Sequence, residues 1–99
     1  MPNKKRSIFT FIVNFRGGTY CSQVQAEDIS KSVSAWLTQI EKEQDQIKYL
    51  GAKGLEDLKK EAKDKNNGIS PLVGLKNTWF TYYSTRQGSF FINIVKTAG

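Results

Sequence analysis

Alternation with a period of two marks both ends of the chain, and a helical period fills the middle. Near the start, Phe9, Phe11, Val13 and Phe15 share one parity, while Ile8, Thr10, Ile12 and Asn14 share the other. In a strand, successive side chains point to opposite faces, so the first set forms a wholly apolar face and the second a mixed one. A turn at Arg16-Gly17-Gly18 returns the chain through Thr19 to Ala26, with Tyr20, Val24 and Ala26 opposite Cys21, Gln23 and Gln25. The pattern recurs near the end. Thr78 to Ser84 forms one strand, Arg86-Gln87-Gly88 turns, and Ser89 to Thr97 returns. Two alternating runs joined by a short glycine-bearing turn predict a β-hairpin at each end. All the aromatic residues except Trp36 and Tyr49 fall in these hairpins.

Between them, Ile29, Val33, Trp36, Leu37 and Ile40 recur at three- and four-residue spacing, the stripe of an amphipathic helix. Asp28 precedes it as an N-cap, since its carboxylate can accept from free amides of the first turn. This helix is expected to reach about Gln44 or beyond and to end before Gly51. Gly51 and Gly54 interrupt the period, after which Leu55, Leu58 and Ala62 predict a second, more exposed helix from about Gly54 to Lys63. Lys65-Asn66-Asn67-Gly68 ends it, and Ile69 to Gly74, with Pro71, reads as a loop leading back to the sheet. The order ββααββ predicts an α+β fold: a two-layer sandwich with a four-stranded, mainly antiparallel sheet and two helices on one face. Residues 1–6 read as a flexible basic tail and residues 7–99 as a single domain, the size at which one core is built. That core should hold Phe9, Phe11, Val13, Val33, Trp36, Leu37 and Ile40.

The C-terminal hairpin carries apolar residues on both faces. Phe80 and Tyr82 oppose Trp79 and Tyr83, and Phe90, Ile92 and Ile94 oppose Phe91 and Val95. Two helices cover one face of such a sheet, so apolar surface remains for another protein. Trp79, Tyr83, Phe91 and Val95 are the residues expected to form that interface, most simply with a second copy in a homodimer.

Charge adds a second expectation. The net charge is +6, and all nine acidic residues lie between Glu27 and Asp64, leaving the strands and the tail basic. A positive balance favours anionic partners, nucleic acid above all, through counterion release. The basic residues available are Lys4, Lys5, Arg6, Arg16, Lys76, Arg86 and Lys96, with Trp79 or Tyr83 as stacking partners for bases.

Catalysis is not expected. The chain has no histidine, hence no ordinary general base near neutral pH, and Cys21 has no histidine to activate it. No cysteine–histidine metal site can be assembled, and no cofactor is implied. One cysteine excludes an internal disulfide and fits a reducing, cytoplasmic setting. The apolar run after Lys4-Lys5-Arg6 is broken by Thr10 and Asn14 and ends at Arg16, so it reads as a strand and not as a signal peptide. No run approaches the ~18 apolar residues of a membrane span.

Gly17-Gly18-Thr19-Tyr20-Cys21-Ser22-Gln23-Val24, followed by Ala26, Asp28 and the helix with Val33 and Leu37, resembles the hairpin-into-helix unit of HicB-type antitoxins over about residues 9–40. The resemblance implies a capped helix packed back on the sheet, and dimerisation or protein binding through the sheet. The function expected from the sequence is therefore a non-catalytic binding domain acting by protein–protein association. Nucleic-acid binding is the alternative.

Overall fold

The structure is a computed structural model, and it describes residues 6–63 and 69–98. Its elements are β1 (Ser7–Phe15), β2 (Gly18–Ala26), α1 (Ile29–Lys42), a 3₁₀ turn at Gln44–Gln46, α2 (Gly51–Lys63), β3 (Ser70–Pro71), β4 (Thr78–Thr85) and β5 (Gly88–Ala98). The sheet has five strands in the order β2-β1-β5-β4-β3, and every pairing is antiparallel. The α+β class and the two helices agree with the sequence reading; the strand count does not. The segment read as a loop pairs Ser70 with Phe80 and Pro71 with Trp79, adding a short fifth strand. Two residues ending in a proline cannot show a two-residue period, which is why the sequence hides this strand.

The first hairpin closes with a two-residue loop in which Arg16 (φ 50°) and Gly17 (φ 81°) are both left-handed. That conformation matches the twist of the flanking strands, and glycine adopts it without a Cβ clash. In the second hairpin the loop residues are Arg86 and Gln87, and the positive φ passes to Gly88 (φ 141°). β1 and β5 meet in the middle of the sheet, so the two terminal hairpins lie side by side.

Both helices cover one face. Phe11, Phe15, Trp36, Leu50, Leu58, Tyr83, Phe90, Ile92 and Ile94 are fully buried there. The Trp36 and Phe11 rings stack at 5.3 Å, and Phe15 stacks on Phe90 at 4.1 Å. Asp28 caps α1 as expected, accepting from the Lys31 amide at 2.8 Å. Lys59 of α2 pairs with Glu41 of α1, tying the helices together. Leu37 sits at the rim of the core, half-buried, instead of inside it.

The start of α2 departs from the sequence reading. Tyr49 (φ 69°) lies left-handed between the 3₁₀ turn and α2, Gly51 (φ 63°) opens α2 with a left-handed backbone, and Ile47 and Leu50 plug this link into the core. Gly54 does not break the helix; it is buried inside it. A Cβ there would meet the Gln87 side chain at 3.0 Å and that of Leu50 at 3.1 Å. The residue is small because α2 runs close past the second hairpin turn.

Candidate interaction surface on the open face of the sheet

Pairing decides which parity of each strand meets the helices. Phe9, Phe11, Val13 and Phe15 of β1 face them, and register brings Phe90, Ile92 and Ile94 of β5 beside them. Tyr83 pairs with Phe90, Thr81 with Ile92 and Trp79 with Ile94, so these β4 residues face the helices too. The opposite, open face carries Ile8, Thr10, Ile12 and Asn14 from β1 and Thr19, Cys21, Gln23 and Gln25 from β2. β5 adds Phe91, Asn93, Val95 and Thr97, and β4 adds Phe80, Tyr82 and Ser84.

The four residues expected to form one interface are therefore divided. Phe91 and Val95 lie on the open face, with Phe91 47% exposed. Tyr83 is 1% exposed beneath α2 and belongs to the core. Trp79 is half-buried on the same side, its ring 6.0 Å from that of Phe9. Neither can take part in a surface with Phe91, and Tyr83 cannot stack on a base. Apolar residues occupy both parities of β4, so periodicity marks two faces without saying which one a helix will cover. In place of Trp79 and Tyr83, the structure joins Ile8, Ile12, Phe80 and Tyr82 to Phe91 and Val95.

The open face has a distinct chemistry. Not one of the positions just named is charged, in a chain with 15 basic and nine acidic residues. An aromatic pair, Tyr82 and Phe91, projects from it with centroids 5.2 Å apart, and Tyr82 is 42% exposed. Neutral hydrogen bonds run across the same face. The Tyr82 and Ser89 hydroxyls meet at 2.9 Å, Thr19 donates to Asn14 at 2.8 Å, and Gln23 donates to Thr10 at 3.1 Å. Thr10 and Thr97 hydroxyls meet at 3.0 Å, at the bulge where β5 shifts register against β1. These bonds pair the neutral side chains of neighbouring strands with one another. Cys21 is exposed on the same face.

The basic residues do not converge. Lys4 and Lys5 lie outside the described residues. Arg6, Lys76 and Lys96 sit where β1 begins and β5 ends, whereas Arg16 and Arg86 sit at the hairpin turns, roughly 30 Å away along the strands. Both turn arginines are committed within the fold. Arg16 stacks 4.4 Å above the Tyr49 ring and donates to the Gln87 carbonyl at 2.9 Å. Arg86 makes two parallel side-chain bonds to Asp57, each 2.9 Å, and its backbone amide adds a third at 2.9 Å. These bonds hold the Asp57 carboxyl well below the usual carboxylate range. Glu61 accepts from the Ser84 amide at 3.0 Å, so two carboxylates of α2 grip the second hairpin. Burial pushes the Tyr83 hydroxyl above its ordinary value.

Among the described residues, no three His, Cys, Asp or Glu side chains come together as a metal site. No helix among them is long and apolar enough to cross a membrane. No family model, curated protein or solved structure matches the chain.

Proposed function

We propose that this protein is a non-catalytic association domain that forms a homodimer through the open face of its sheet. The observation that carries this reading is a face free of charge with an exposed Tyr82–Phe91 pair toward the turn end of β4 and β5. Interface cores are depleted in charged residues and enriched in aromatics, as this face is. A two-fold contact sets each patch against its own copy, so an uncharged patch meets itself without like-charge repulsion. Four strands of about eight residues present roughly 500 Å² of planar footprint. Two copies thus hide about 1,000 Å² before side-chain relief is counted, the lower bound of a specific interface. A nucleic-acid surface needs cations beside its stacking aromatics, and this face supplies none.

Sedimentation of the full chain and of the Phe91→Asp variant, at low and high salt, tests the proposal. The wild-type chain should have the mass of two copies in both salts. The variant should have the mass of one and unfold at the same denaturant concentration as a dissociated wild-type chain. A wild-type mass of one copy at about 1 mM, weaker than any useful self-affinity, would overturn the proposal. So would a Phe91→Asp variant that remains dimeric.

A further inference from the structure

Two apolar side chains protrude from the end of the sheet opposite the hairpin turns. In the link between β3 and β4, Val73 is wholly exposed and Leu75 is 60% exposed. Among the described residues, no other large aliphatic side chain is exposed. The link is firmly built. The Leu75 amide donates to the Leu72 carbonyl at 3.2 Å, and Gly74, at φ 82°, takes the third position of that turn, where a type II turn needs a positive φ. The Leu72 amide donates to the Thr78 carbonyl at 3.0 Å, and the Thr78 hydroxyl donates to the Lys76 carbonyl at 3.1 Å. From β5, the Lys96 amide donates to the Asn77 carbonyl at 2.8 Å. Val73 and Leu75 are thus held out from the molecule by bonded backbone, with no part in the core.

Cations stand at the base of this tip. Lys76 follows Leu75, Lys96 is anchored beside Asn77, and Arg6 precedes β1, two strands or roughly 10 Å from β4. Among the described residues none of the three makes an ion pair. The acidic residues at this end, Glu27 and Asp28, follow β2 at the far edge, roughly 14 Å from β4. Glu27 pairs with Lys31 at 2.9 Å, and Asp28 caps α1. Asp64 lies outside the described residues.

We infer that the link of residues 72–77 is a docking tip for an anionic lipid surface. Val73 and Leu75 enter the boundary between headgroups and acyl chains, and Lys76, Lys96 and Arg6 meet the acidic headgroups. A protein partner would need a cavity shaped to this convex tip, whereas a bilayer closes around whatever enters it. A second copy would set three cations against three in a two-fold contact, the reverse of the uncharged open face. Single-stranded nucleic acid takes cations together with aromatic platforms, and the exposed side chains of this tip are aliphatic. None of these residues lies on the open face, so the tip serves monomer and dimer alike.

The probes are vesicles of phosphatidylcholine with about 30% phosphatidylserine, and vesicles of phosphatidylcholine alone. The full chain should cosediment with the anionic vesicles at or below about 1 mM lipid, and about tenfold or more weakly with the neutral ones. Val73→Asp and Leu75→Asp should each weaken anionic binding by about tenfold or more, at an unchanged denaturation midpoint because both sites are exposed. Lys76→Gln should weaken it by about fivefold. In Val73→Trp, brominated lipid should quench the new indole strongly, while the buried Trp36 and half-buried Trp79 of the wild-type chain should be quenched little. Phe91→Asp, tested in parallel, should lose the dimer and keep lipid binding that Val73→Asp removes, so failure of either proposal is seen apart from the other. No binding at that concentration, equal binding to both vesicles, or binding unmoved by Val73→Asp and Leu75→Asp overturns the inference. So does lipid binding that disappears in Phe91→Asp but survives Val73→Asp, which would place the contact on the open face. Lipid-free oligomers larger than a dimer that disappear in Val73→Asp would show another copy over the tip, and would overturn it as well.

Discussion

The covered and open faces of the sheet are built from alternate residues of the same strands, and they differ in what they were given to meet. Beneath the helices, Phe11, Phe15, Phe90, Ile92 and Ile94 interlock with Trp36, Leu50 and Leu58 at full burial. On the other side, Phe91 and Tyr82 stand among threonine, asparagine, glutamine and serine, with neutral hydrogen bonds joining the polar neighbours. The buried core and the open face both lack charge, for different reasons. A buried face cannot carry an unpaired ion without a large desolvation cost. An exposed face bears no such restriction, and most of this protein's other exposed surface, the helices and turns above all, is heavily charged. An uncharged exposed face therefore carries information about association that an uncharged core does not.

The largest expected contrast between the faces is in stability. Trp36→Ala removes a fully buried ring stacked on Phe11 and should cost about 3–5 kcal/mol in denaturant unfolding. Phe91→Ala, measured where the chain is monomeric, should cost less than about 1 kcal/mol. Equal losses would erase the distinction between the faces. In association the order should reverse. Phe91→Asp should weaken the dimer by about 30-fold or more, the scale of a buried aromatic hot spot, while Trp36→Phe should leave the dimer constant unchanged wherever it folds.

Two smaller effects concern the turn end of the sheet, where the covered layer is pinned. Gly17→Ala puts a Cβ on a residue at φ 81° and should lower stability by about 1–2 kcal/mol, read from the shift in denaturation midpoint. The Asp57–Arg86 pair should give the covered side a pH dependence that the open face lacks. The folded Asp57 carboxyl lies below its ordinary value of 3.8, so an unfolded chain takes up its proton first as pH falls. The contribution is complete above about that value and is lost progressively as pH falls through the folded one. Asp57→Asn should flatten this part of the acid limb of a stability–pH curve, and Phe91→Ala should leave it intact.

Much of the architecture was legible because its signals are local. Both hairpins follow from two-residue alternation around glycine turns, and α1 follows from its stripe and from Asp28, which binds an amide only three residues away. The short β3 left no periodic trace. Gly54 misled as a helix breaker because its reason lies in Gln87, more than thirty residues distant, and no propensity encodes such an approach. The candidate surface was half legible. Phe91 and Val95 were on it, whereas Tyr83 and Trp79 sat on the wrong parity of a strand that is apolar on both.

The order of residues along the chain was enough to state that apolar surface would exceed what two helices could cover, since that is a count of faces against covering elements. It also settled that the strands would carry no acid, because every acidic residue lies between Glu27 and Asp64. Which parity of β4 became core depended on its pairing with β5, where Tyr83 falls opposite Phe90. The fates of Arg16 and Arg86 likewise depended on distant partners, Tyr49 and Gln87 for one and Asp57 for the other. The place of β2 at the edge emerged only from the strand order, which puts that strand outermost and β1 beside β5. Local sequence sets the period and the turn. Pairing between distant segments sets face, register and edge, because those belong to two strands at once and to neither alone.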